Sequence, residues 1–114
     1  MIDVREYLDP KGNSSYASWF DHLNPQAAAK VATALTRLAN GNFSSVKGVG
    51  SGVFEYRIDF GPGYRIYFGK DGERLVIVLG GGTKKRQQHD IDAALANWQD
   101  YKRRKQESNR APNP

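Results

Sequence analysis

The sequence predicts an α+β domain: an antiparallel sheet core with an N-terminal helix hairpin and a C-terminal helix, in the order β-α-α-β-β-β-α. Three observations predict it. Residues 53–60 and 64–68 alternate apolar and polar side chains at a period of two. Residues 16–38 carry apolar side chains at helical spacing around an Asn24-Pro25 break. Ile91, Ala94, Leu95, Trp98 and Tyr101 repeat that helical spacing near the end of the chain.

Each element has its own signal. Ile2, Val4 and Glu6 alternate with Asp3, Arg5 and Tyr7 in a short strand, and Asp9-Pro10-Lys11-Gly12-Asn13 is a turn. Ser14 or Ser15 caps a helix over Tyr16 to Leu23. Asn24 caps the next helix and Pro25 takes its first position; Ala27 or Ala28, Val31, Leu35 and Leu38 form its apolar stripe, and Gly41 stops it. Two helices joined so tightly form an antiparallel hairpin. Asn42 to Ser51 is polar and glycine-containing, and is expected to be a surface loop.

The centre of the chain is the stretch from Gly52 to Lys85. Phe54, Tyr56, Ile58 and Phe60 fall on one face of a strand, with Val53, Glu55, Arg57 and Asp59 on the other. With Gly61-Pro62-Gly63 as a three-residue hairpin loop, Asp59 faces Arg65, Ile58 faces Ile66 and Arg57 faces Tyr67. One face is then a core wall, and the other a polar patch holding Arg57, Arg65, Tyr67 and two carboxylates. A slip by one residue would bury the arginines. Gly69 to Glu73 closes a second hairpin, and Leu75 to Leu79 is an unbroken apolar run suited to a central strand. Gly80, Gly81 and Gly82 are expected to turn the backbone toward a basic loop, Thr83 to His89. Asp90 and Asp92 suit the N-terminal end of the last helix, and Lys102 to Lys105 its C-terminal end.

Composition narrows the function classes. A chain of 114 residues fits one domain, placed here at 1–105, with residues 106–114 as a disordered tail. No run approaches the ~18 apolar residues of a membrane span, and the start is not that of a signal peptide. Cysteine is absent, which excludes disulfides and thiolate metal sites and suggests a reducing cytoplasm. His22 and His89 lack metal-type spacing, so neither a metal nor another cofactor is expected. The net charge is +5, and all of the excess lies in residues 61–114. Such asymmetry points to a polyanionic partner, nucleic acid or an acidic protein. The triple glycine lacks the G-x-x-x-x-G-K-[ST] pattern, so no nucleotide P-loop is present.

Two runs carry a family resemblance. G-N-F-S-S-V-K-G-V-G-S-G-V-F-E-Y-R-I-D-F-G-P-G-Y-R-I-Y-F and L-G-G-G-T-K-K-R-Q-Q-H-D-I-D-A-A resemble the RelE/ParE superfamily of toxins. More narrowly they are similar to its HigB-like addiction module killer protein branch, along nearly the whole chain to Tyr101. The resemblance implies a RelE-like fold and a cytoplasmic toxin of a type II toxin–antitoxin pair. Most members cleave mRNA on the translating ribosome, whereas the ParE branch poisons DNA gyrase. The implied partner is a small helix-turn-helix antitoxin that covers the active face in a hetero-oligomer and alone contacts operator DNA. Arg57 and Arg65 match the basic strand positions of the ribonuclease branch, and Lys84, Gln87 and Asp90-Ile91 match the loop and helix start. The family loop usually reads G-G-D-K-[ST]-x-Q; here Thr83 replaces the acid, and Lys85-Arg86 make the loop more basic.

The same residues suit RNA cleavage on chemical grounds. Attack of a 2′-OH on its own phosphate needs no metal. It needs the 2′ proton removed, charge on the phosphorane stabilised and the 5′ oxygen protonated. Arg57 and Arg65 suit the second task, because a guanidinium fork matches phosphate oxygens. Lys84 or Lys85 would assist there or move a proton. The catalytic set is Arg57, Arg65 and Lys84, to which the resemblance alone adds Gln87, with Tyr67, Lys85, Arg86 and His89 expected to bind substrate. Tyr67 would stack on a base or donate a proton, and His89 is a candidate because imidazole is the side-chain type suited to proton transfer at neutral pH. Asp90 as a general base is the weaker reading of a helix-start carboxylate. Two other readings stay open: a non-enzymatic inhibitor of gyrase or another target, and a plain nucleic-acid-binding module.

Overall fold

The computed structural model describes residues 1–109. Its elements are β1 (Asp3–Glu6), α1 (Ser15–Asp21), α2 (Pro25–Ala39), β2 (Val46–Gly50), β3 (Val53–Ile58), β4 (Tyr64–Lys70), β5 (Leu75–Thr83) and α3 (Gln87–Asn109). Among these residues no helix is long and apolar enough to cross a membrane.

The helix hairpin forms where its caps demand. Ser14 Oγ accepts from the Ala17 amide at 3.0 Å, and Asn24 Oδ1 accepts from the Ala27 amide at 2.8 Å. Pro25 opens α2, and Gly41, at φ +79°, follows its C-cap residue Asn40. Ala27, Val31, Ala34 and Leu38 are the buried stripe of α2.

The sheet departs from expectation in three ways. It has five strands, in the order β1-β5-β4-β3-β2. The extra strand is β2, in the stretch expected to be a loop; V-K-G-V-G has too few large side chains to reveal an alternation. Backbone pairing with β3 holds it, Val46 opposite Tyr56 and Lys47 opposite Glu55. The sheet is also mixed, because β1 runs parallel to β5 while the other neighbours are antiparallel. Third, the β3–β4 register is displaced by two residues. Arg57 faces Arg65, Glu55 faces Tyr67 and Ile58 faces Tyr64. The connection is Asp59–Gly63, with Gly61 and Gly63 at φ +56° and +81°. A two-residue displacement keeps every side chain on its own face, so the alternation alone cannot distinguish the two registers.

Both faces of the sheet are covered. On one side α1 and α2 bury Tyr56, Ile66, Phe68, Val76 and Val78. On the other, α3 lies over Val53, Tyr67, Ile77 and Leu79 with Ala94 and Trp98. The face expected to be a polar patch is thus half core. The glycines explain how closely the helices approach. A Cβ on Gly81 would lie 2.3 Å from the Trp19 ring, and one on Gly82 would lie 1.9 Å from Asp90 Oδ2. These glycines are part of β5, paired with β4, and are not a turn.

The last helix runs further than expected. Residues 106–109 belong to α3 and not to a tail; the rest of the expected tail, residues 110–114, lies outside the described residues. Polar fastenings hold its second half. The Tyr7 hydroxyl donates to Asp100 Oδ2 at 2.6 Å, and Arg104 Nε donates to the same oxygen at 2.8 Å. The Tyr101 hydroxyl donates to Asp71 Oδ2 at 2.5 Å, and Lys105 pairs with the other oxygen of Asp71.

Candidate functional site

Alternation in β3 and β4 sends Glu55, Arg57, Arg65 and Tyr67 to the α3 side of the sheet. The N-terminal end of α3 does not reach far enough to seal that side completely. An open depression of about 350 Å³ remains, lined by Arg57, Asp59, Phe60, the Gly61-Pro62-Gly63 loop, Arg65 and Lys84. Lys84 arrives there because its amide donates to the Gly63 carbonyl at 2.9 Å. That bond ties the end of β5 to the β3–β4 loop. Arg57, Arg65 and Lys84 therefore share one cavity.

The two arginines are not equivalent. The Arg57 side chain is 49% exposed, whereas that of Arg65 is 3% exposed and forms the floor. Arg65 Nη1 donates to the Tyr64 carbonyl at 3.2 Å and lies beside Gly63, where a Cβ would be 3.3 Å away. Facing like charges across a strand pair is destabilising on its own. Glu55 offsets it. Its Oε1 lies 3.6 Å from Arg65 Nε and 3.8 Å from Arg57 Nε, ion pairs longer than hydrogen bonds. Its Oε2 accepts from Gln87 Nε2 at 2.7 Å. Glu55 is completely buried.

Other expected site residues take different places. Tyr67 is completely buried and its hydroxyl makes no hydrogen bond, so it offers no ring face for stacking on a base. Burial pushes its phenol well above the ordinary value; the negative charges of Glu55 and Asp90 add to that, and Arg65 opposes it. Lys85 and Arg86 are exposed on a single 3₁₀ turn, Lys84–Arg86, outside the lining of the depression. His89 is also outside it, with a 69% exposed side chain; its Nδ1 is 3.3 Å from Arg86 Nη2 and 3.4 Å from Asp90 Oδ1. Asp90 is in the first turn of α3, against Gly82. Gln87 reaches Glu55 rather than the depression.

Glu55 is the residue that the sequence reading passed over as one of two carboxylates on a polar patch. Its signal was present: an acid in a column with Arg57, flanked in sequence by the aromatic residues Phe54 and Tyr56. Two further depressions adjoin Arg57 and Asp59. One also takes in Lys30 and Arg37 of α2, the other Lys47 of β2. The positive surface thus continues beyond the central cavity. Among the described residues, no three His, Asp or Glu side chains gather as a metal site would require.

Comparison with known proteins shows the family. The family described as "Phage derived protein Gp49-like (DUF891)" matches residues 18–99, from within α1 to the middle of α3. An uncharacterized protein of Haemophilus influenzae (strain ATCC 51907 / DSM 11121 / KW20 / Rd) is 44% identical over 85 residues, covering 74% of this chain and 86% of its own length. The chain belongs to the Gp49-like (DUF891) phage-derived family, a toxin-like family related to RelE/ParE-type addiction modules.

Proposed function

We propose that this chain is the toxin of a type II toxin–antitoxin pair, of the HigB-like branch, and that it cleaves mRNA on the translating ribosome. The observation that supports this reading is the shared depression of Arg57, Arg65 and Lys84. Its charge and shape suit a backbone phosphate held from three directions. The 2′-OH attacks the adjacent phosphorus, and the bond from that phosphorus to the 5′ oxygen breaks. Arg57 and Lys84 meet the charge that grows on the non-bridging oxygens, with Arg65 beneath them. The proton leaving the 2′-OH and the proton gained by the 5′ oxygen pass through exposed groups near the depression, with Lys84 and His89 as the candidates. Each such group contributes about 10²–10⁴-fold. A helix-turn-helix antitoxin would silence the toxin by covering the same cationic rim, including Lys85 and Arg86.

Induced expression in a bacterial host tests the proposal. Growth arrest with codon-positioned cuts, mapped by primer extension on mRNA, is the expected result. Arg57→Ala combined with Lys84→Ala is expected to relieve the arrest while leaving the fold intact. Arrest without mRNA cuts but with DNA damage signalling would identify a gyrase-directed inhibitor instead. Steeply salt-dependent RNA or DNA binding without arrest would identify a plain binding module.

A further inference from the structure

We propose that Glu55 is the positioning residue of this site: one buried carboxylate between Arg57, Arg65 and Gln87 turns both guanidinium groups so that the terminal nitrogens of Arg57, and the one terminal nitrogen of Arg65 not used by the Tyr64 carbonyl, are left for an external anion. The role in catalysis rests on the ribonuclease reading above; the positioning itself does not.

The geometry carries it. Glu55 Oε1 faces Nε of Arg65 at 3.6 Å and Nε of Arg57 at 3.8 Å, so the carboxylate addresses the stem side of each fork. The two-nitrogen end of a guanidinium, the end that matches phosphate oxygens, is not consumed by Glu55. Gln87 Nε2 fixes the other oxygen at 2.7 Å and links the start of α3 to the same carboxylate. Glu55 thereby contacts three of the four residues assigned to the chemistry while lying outside the lining of the depression. Glu55 Oε1 and Arg65 Nε also lack hydrogen-bond partners although both are buried. Burying a charged cluster without full satisfaction is not a route to stability, since an apolar replacement of the same shape is often as good or better. Charge completes the case: Glu55 and Asp59 against Arg57, Arg65 and Lys84 still leave the locality net positive, ready for a phosphate, with Glu55 offsetting the repulsion of the facing arginines.

The test uses the full chain, labelled with ¹⁵N, and the variant Glu55→Gln, which keeps the shape and removes the charge. Arg57 and Arg65 Nε–Hε resonances are followed during titration with inorganic phosphate, and are assigned through Arg57→Lys and Arg65→Lys. Both resonances are expected to shift in Glu55→Gln and to lose their response to phosphate. Resonances and response identical to those of the unaltered chain would overturn the proposal. Cleavage of ribosome-bound mRNA gives the second readout. A positioning defect lowers kcat by about 10²-fold with KM unchanged or lower, because the site gains net positive charge. A rise in KM with kcat unchanged would overturn it. If the unaltered chain does not cut mRNA, the ribonuclease reading fails and the resonance comparison still decides the positioning. If Glu55→Gln does not fold, Gln87→Leu replaces it, since Gln87 is only partly buried. A smaller shift of the Arg65 resonance in that variant is expected, and no shift would overturn the proposal.

Discussion

Trp98 of α3 packs directly on the backbone of β4 at Gly69: a Cβ at that glycine would lie 2.5 Å from the indole ring. The contact sets how closely α3 approaches the sheet, and so how far the polar face of β3 and β4 is covered. Tyr101 stacks on the same indole at 5.3 Å and 5°.

Gly69→Ala is therefore expected to destabilise by about 1–3 kcal/mol through overpacking. Gly80 is the internal control, because nothing lies within 4 Å of its Cβ position. Urea unfolding of the two alanine variants is expected to separate them clearly. Equal midpoints would mean that the indole moves aside at little cost.

Arg65 and Arg57 should differ in what their loss does to the fold. Removing Arg65 leaves the completely buried Glu55 without its nearer partner, which is expected to cost about 3–5 kcal/mol. Arg57 is half exposed, and its pairing is expected to contribute less than about 1 kcal/mol. Thermal melts of Arg65→Ala and Arg57→Ala check this. The contrast also explains why Arg57 with Lys84, and not Arg65, is the informative pair for toxicity.

Acid should loosen the second half of α3. The bond from Lys105, with that from Tyr101, holds the Asp71 carboxyl below its ordinary value, and the bond from Tyr7 does the same for Asp100, helped by Arg104. A carboxyl whose folded pKa is depressed stabilises the fold above its unfolded value and loses that contribution as pH falls through the folded one. Stability is therefore expected to decline as the pH drops below about 4, and to decline less steeply in Asp71→Asn. Melting temperatures between pH 5 and pH 2, each value set as the experiment's range, check the slope. Parallel curves for the two proteins would refute the assignment to Asp71.

Alkali should meet delayed tyrosine ionisation. Burial raises Tyr16 and Tyr101 to about 12, with Glu6 adding to the first and Asp71 to the second, and Tyr67 is raised further by the causes given above. Because their folded pKa values exceed the unfolded value of 10, stability from these phenols is complete below pH 10 and is lost as pH rises through the folded values. Spectrophotometric titration is expected to show these three of the six tyrosines ionising only near or with unfolding. Reversible ionisation of all six near pH 10 would contradict their burial.

Several features were legible from residues alone. Asn24-Pro25 and Gly41 mark the ends of α2 because capping is a local matter of one side chain and a few backbone amides. The faces of β3 and β4 were legible because a period of two survives any packing. The partial burial of the polar face was not, because Arg57 and Arg65 read alike at the sequence level. Only the placement of β5 beside β4, with Gly82 opposite Arg65 and Asp90 against that glycine, makes one a floor and the other a rim. The strand β2 was invisible because its backbone partners, and not its side chains, make it a strand. The long α3 looked like a tail from residue 106 because the Lys105–Asp71 ion pair and the hydrogen bond from Tyr7 to Asp100, not a continued apolar stripe, fasten the preceding turns.

The amino-acid order by itself determined which side chains share a face of β3 and β4, where the helix hairpin is capped, and that the positive charge gathers in the second half of the chain. Those properties depend on neighbours within a few residues. The tertiary structure alone decided that Arg57 faces Arg65, that Glu55 is buried between them and Gln87, and that Lys84 is brought to the same cavity through the Gly63 carbonyl. Registers displaced by two residues are equivalent in pattern, so the loop conformation at Asp59–Gly63 and the packing of α3 had to choose between them.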